Sequence, residues 1–162
     1  MADVQVEDVI RKLKDGMQRL HDVAKADPPA LSNSYAPGRW NGKEIIAHLA
    51  DCEAVFYYRF LKTIAEEGSP VVPFDQDRWA KELNYNNRRT FQAQMVVNAL
   101  HIALMELLCD LPSEKLQRKT FHPERGEMTA LQIANLAADH MLHHLEQLEA
   151  IIEGREWESE NR

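Results

Sequence analysis

Residues 129–153 read TALQIANLAADHMLHHLEQLEAIIE. Ile133, Ala134, Ala137, Met141, Leu145, Leu148 and Ile152 recur three or four positions apart, the spacing of one apolar helix face. Thr129, with Gln132 three positions later, forms a capping box that satisfies backbone donors a helix start leaves open. An amphipathic helix of this length must bury its stripe against similar helices, so the fold turns on how many such stripes the chain holds.

Three more segments qualify. Val6, Val9, Ile10, Leu13, Met17, Leu20 and Val23 form a stripe running roughly to Lys25, and Pro28 and Pro29 end it. Asn41 with Glu44 caps a second helix, expected to run to about Glu66, whose stripe is Ile45, Leu49, Cys52, Phe56 and Phe60. Gly68 and Pro70 stop it. A third helix, roughly Thr90 to Cys109, shows Met95, Ala99, Ile102 and Met105 or Leu108 at helical spacing. The connection 69–89 carries Phe74 and Trp79, aromatics that favour a packed segment over a loose one. The connection 111–128 is read as irregular, with a tight turn at Gly126. Four long helices and few Gly or Pro within them predict an all-α four-helix bundle. It is expected as a single domain over residues 1–153, with a polar tail, 154–162, that frays.

Composition narrows the function classes. The formal charge of −7 comes without a Lys/Arg run, which argues against nucleic acid and against an anionic membrane surface. No apolar run is read as a membrane span, and the first residues lack a secretory signal pattern. Cys52 and Cys109 are too few for a disulfide framework, and a reducing cytoplasm suits them. A small-molecule substrate or a protein partner remains.

Three of the seven His cluster at 140, 143 and 144. His140 and His144 are four apart and share a helix face, where two imidazoles can reach one ion. That face is the apolar one, and an unpartnered imidazole there is costly. His48, between Ile45 and Cys52, points inward from the second helix. One His from one helix and a pair from another make a facial triad with coordination positions left open, as a catalytic ion requires. The plainer reading is a set of core histidines satisfied by hydrogen bonds. His21 and His101 are expected at the surface or hydrogen-bonded, Cys52 as a small core residue, and Glu53 on a solvated rim. Glu44 and Asp51 are the carboxylates nearest in sequence to serve as catalytic bases. Glu44 is also explained as a cap, and Asp51 as an acceptor behind a ligand imidazole.

The run Trp40-Asn41-Gly42-Lys43-Glu44-Ile45-Ile46-Ala47-His48-Leu49-Ala50-Asp51 resembles the DinB/YfiT family pattern of Trp, a capping polar residue, Glu, then His-Leu-x-Asp. Asn41 stands where the family more usually has Ser or Thr, a change that capping tolerates. Phe74-Asp75-Gln76-Asp77-Arg78-Trp79 is similar to the family's acidic and aromatic connection. His122-Pro123-Glu124-Arg125-Gly126-Glu127 resembles the segment before its last helix, and His140-x-x-x-His144 stands where the family has paired ligands. The resemblance implies a bundle that is often a homodimer, with a divalent metal ion, commonly nickel or zinc, on His48, His140 and His144. It further implies a metal-dependent hydrolase, or a transferase or isomerase using a low-molecular-weight thiol such as bacillithiol or mycothiol. A module that holds the ion without turnover is the alternative.

Overall fold

Asn41 and Thr129 each start a 24-residue helix by the same device. The Asn41 side chain accepts from the Glu44 amide at 3.0 Å while Glu44 accepts from the Asn41 amide at 2.9 Å. Thr129 and Gln132 repeat the exchange at 3.1 and 2.9 Å. In the computed structural model, which describes residues 5–157, the helices are α1 (Val6–Val23), α2 (Gly42–Ala65), α3 (Gln76–Glu82), α4 (Thr90–Asp110), α5 (Ser113–Leu116) and α6 (Ala130–Glu153). Two short strands, β1 (Lys119–His122) and β2 (Gly126–Thr129), pair antiparallel between α5 and α6.

The four long helices form the bundle. α4 and α6 each pack against both α1 and α2, giving the cyclic order α1, α4, α2, α6. One part of the core gathers Leu20, Ile45, Leu49, Val97, Met141, Leu145 and Leu148; another gathers Val9, Leu13, Phe60, Leu104, Leu108, Ile133 and Ala134. Gly16 lets α1 approach α6 closely, since a Cβ there would lie 2.9 Å from Met141 Cγ. The last core position of α6 is Ile151, whereas Ile152, expected in the stripe, is 36% exposed.

α4 departs further from its expected register. Met95 and Ile102 are 55% and 56% exposed, and the buried face carries Ala93, Gln94, Val97, His101, Leu104 and Leu108. The helix is apolar on nearly every side, so periodicity could not select the inward face. By length and composition α4 would suffice to cross a membrane, contrary to the expectation that no run would. It is instead packed into the bundle along one face. His101 on that face meets Glu53 of α2, Nε2 to Oε2 2.9 Å, with both side chains almost wholly buried. Glu53 is therefore an interior residue and not a rim one.

The connection 111–128, read as irregular, contains the β1–β2 hairpin, turned at Gly126 with φ 73°. Backbone amides of Gly68 and Val71 donate to Lys119 and Phe121 carbonyls at 2.8 and 3.1 Å, tying the α2–α3 connection to the hairpin. Arg59 holds the same connection: its buried guanidinium donates to the Val72 carbonyl at 2.9 Å and lies 5.9 Å from both the Phe56 and Phe74 rings. Phe74 packs in turn on Trp79 of α3, so α3 is held over one end of the bundle.

Candidate metal centre

The α2 stripe that buries Ile45 and Leu49 also turns His48 inward, and the α6 stripe turns His140 and His144 toward it. The three rings converge: centroid separations are 5.2 Å for His48–His140, 4.8 Å for His48–His144 and 4.5 Å for His140–His144. His48 Nε2 lies 3.2 Å from His140 Nε2. His144 Nδ1 donates to Gln147 Oε1 at 2.6 Å, which leaves its Nε2 with a free lone pair. Cys52, one turn after His48, places Sγ 3.4 Å from His48 Nε2. His48, Cys52 and His140 thereby offer donor atoms all within 4.8 Å of one another.

Burial keeps these imidazoles neutral. Desolvation brings His48 down from 6.5 to about 4. His144 falls to about 3 through burial and the neighbouring rings, and His140 lies well below its ordinary value for the same reasons. Neutral imidazole is the form that ligates a metal. His140 Nδ1 is buried with no hydrogen-bond partner. Nitrogen atoms converging with few competing partners fit a divalent ion, and imidazole suits nickel and zinc alike.

A cleft of about 660 Å³ opens beside the rings. Its lining includes Tyr35, Trp40, Asp77, His140, His144 and Gln147. Trp40 also packs on His48, centroids 4.7 Å apart, and Phe56 meets His140 edge-on at 5.2 Å. His143 lines the cleft but turns to Trp157, 4.9 Å away, whose ring also meets Tyr35 at 5.4 Å. The expected C-terminal tail thus brings one aromatic back against two residues of the cleft wall.

The two carboxylates named from sequence have other engagements. Glu44 is held in the α2 capping box. Asp51 accepts from Arg88 Nη1 with both oxygens, at 2.7 Å each. The carboxylate that lines the cleft is Asp77, near the start of α3. Its only sequence signal was the acidic and aromatic run 74–79. Gln147 was also missed, although its place three residues after His144 was the signal for a side chain that orients the ring.

The sequence matches the DinB superfamily over residues 5–148. A protein of Oceanobacillus iheyensis named "Putative metal-dependent hydrolase" is 29% identical over 153 residues, spanning 94% of this chain and 85% of its own length. One of the same description from Bacillus cereus strain G9842 is 26% identical over 141 residues, spanning 85% and 81%. Among solved structures, YfiT from Bacillus subtilis, described as "a probable metal-dependent hydrolase with an unusual four-helix bundle topology", superposes with a TM-score of 0.86 at 21% identity over 95% of this chain and 89% of its own. A mycothiol-dependent maleylpyruvate isomerase gives 0.70 at 12% identity, covering 90% of this chain and 61% of the isomerase. These two likenesses carry the fold. The matched region runs from α1 through the histidine cluster to Leu148, and the chain belongs to the DinB superfamily.

Proposed function

We propose that the protein is a divalent-metal-dependent enzyme acting on a small molecule, with His48, His140 and His144 holding nickel or zinc. The observation that carries this reading is three neutral imidazoles converging at the wall of an open cleft. A divalent ion so held supplies Lewis-acid chemistry, polarising an electrophile or acidifying a water or thiol. The chain supplies the rest. Gln147 orients His144, the aromatic walls formed by Tyr35 and Trp40 exclude water, and Asp77 is placed at the cleft to accept a proton. The names of the curated relatives favour hydrolysis, and the isomerase likeness brings transfer or isomerisation with a low-molecular-weight thiol into range. Both free cysteines, Cys109 being exposed, suit a reducing cytoplasm.

We also propose that a second copy of the chain covers the outer face of α4. Phe91, Met95, Ala99 and Ile102 line that face, all exposed, with Glu106 one turn beyond them. In a chain of charge −7 it is a surface on which two copies can meet with little repulsion.

The reaction is tested by loading tag-free protein with zinc or nickel and screening ester and amide hydrolysis alongside bacillithiol, mycothiol and glutathione with electrophiles. Turnover should vanish on chelation and return on reloading. Absence of metal-dependent turnover with every pairing would contradict the enzymatic reading.

A further inference from the structure

We infer that the cleft takes a substrate bearing a carboxylate, and that Arg39 is the residue that holds it. The inference rests on the three-His reading above and names the substrate class of that site. Arg39 lines the cleft from the loop that precedes α2, and its backbone is pinned on both sides. Its amide donates to the Ala36 carbonyl at 3.2 Å, across a turn with Pro37 and left-handed Gly38 (φ 73°) at its centre. Its carbonyl accepts from Ser34 Oγ at 2.9 Å, and the Gly42 amide, donating to the Asn33 carbonyl at 3.2 Å, ties the loop to the start of α2. The Arg39 side chain, by contrast, is exposed and makes no ion pair or hydrogen bond among the described residues. A guanidinium carried on a fixed backbone and left unpaired keeps its planar fork for a ligand.

The charge of the cleft points the same way. Apart from its histidines, the lining carries one cation, Arg39, and one anion, Asp77 of α3, among the described residues. Those two charges cancel. Imidazole ligands bring no negative charge to a divalent ion, so the charge of an ion on His48, His140 and His144 stays uncompensated beside the cleft. The site is then locally positive within a chain of net charge −7, and a small anion is drawn to it. A carboxylate matches the guanidinium fork with two parallel acceptors, and its single charge is the one that Arg39 balances. The second charge of a phosphate would meet no further cation in the lining. At about 660 Å³ the cleft has room for a small molecule that sets its reacting group at the ion and its carboxylate on Arg39.

Cobalt-loaded, tag-free protein tests this without reference to turnover. N-acetylcysteine and N-acetylcysteine amide differ by one carboxylate, and a thiol that reaches the ion gives a thiolate-to-cobalt absorption band by which each can be titrated. At constant pH and physiological salt, Arg39→Gln should lower the preference of wild type for the acid over the amide by about fivefold, with cobalt content and the helical circular dichroism spectrum unchanged. Arg39→Lys should restore part of it. Arg78→Gln is the control: it removes the same charge from α3 outside the cleft lining, and should leave the preference within about twofold of wild type. The same preference in wild type and Arg39→Gln, or an equal loss in Arg39→Gln and Arg78→Gln, would overturn the carboxylate anchor and leave the three-His reading standing. A wild type that holds no cobalt, or holds it and gives no band with either thiol, would overturn the proposed function as well.

Discussion

Gln147 accepts a hydrogen bond from His144 Nδ1 at 2.6 Å, and this contact decides which nitrogen of His144 faces the cluster. Gln147 is itself 93% buried, so its amide is fixed by packing on α6. Removing such an orienting partner typically costs 10–100-fold in metal affinity. Gln147→Leu should therefore weaken zinc binding by roughly that factor while leaving the fold intact, and Gln147→Glu, which keeps an acceptor, should recover most of it. Titration calorimetry giving wild-type affinity for Gln147→Leu would remove Gln147 from the site.

The neutral imidazoles also predict how stability depends on pH. His48 sits at about 4 and His144 at about 3, whereas in the unfolded chain each returns to its ordinary 6.5. Below pH 6.5 the unfolded state binds more protons, so the metal-free protein loses stability as pH falls, until the folded-state values are passed. Between pH 7 and pH 5 the loss is about 2 kcal/mol per ring. Urea unfolding in the presence of a chelator should show a clearly lower midpoint at pH 5. Replacing His48, His140 and His144 together by Leu should flatten the profile. Equal midpoints for wild type at the two pH values would contradict neutral burial.

The outer face of α4 predicts an oligomeric state. Light scattering at micromolar concentration should give twice the chain mass of 18.7 kDa, and Met95→Glu with Ile102→Glu should give a monomer that remains helical. A monomeric wild type, or a dimer unaffected by both substitutions, would count against this face.

What could be read from sequence depended on how one-sided each segment is. α1, α2 and α6 bury apolar residues and expose polar ones, so Leu13, Leu49 and Leu145 were legible as core, and the capping boxes marked where α2 and α6 begin. α4 has apolar residues all round, so spacing favours the face of Met95 and Ile102 no less than that of Val97 and Leu104, and it is the latter that is buried. Glu53 and His101 look like surface residues singly; only the fold buries both and brings them to 2.9 Å. The β1–β2 hairpin was missed because strands of four residues carry too little alternation to register. His48, His140 and His144 were legible because the helical period alone places them on buried faces. Cys52 was visible on the same face but read as packing, since contact between its sulfur and His48 is a matter of rotamer and not of spacing. Asp77 reaches the cleft only through the placement of α3, which no local pattern encodes.

Metal content across the histidine variants bears on the account most directly. His143 is one residue from His144 but turned by about 100° on the helix, and its ring faces Trp157. Tag-free wild type and His143→Ala, reloaded with zinc or nickel and measured by plasma mass spectrometry, should each hold close to one ion per chain. His48→Ala, His140→Ala and His144→Ala should fall far below, while circular dichroism shows the bundle still folded, because its core does not depend on the ion. Metal retained by all three of those variants, or lost from His143→Ala and kept by His144→Ala, would contradict the assignment.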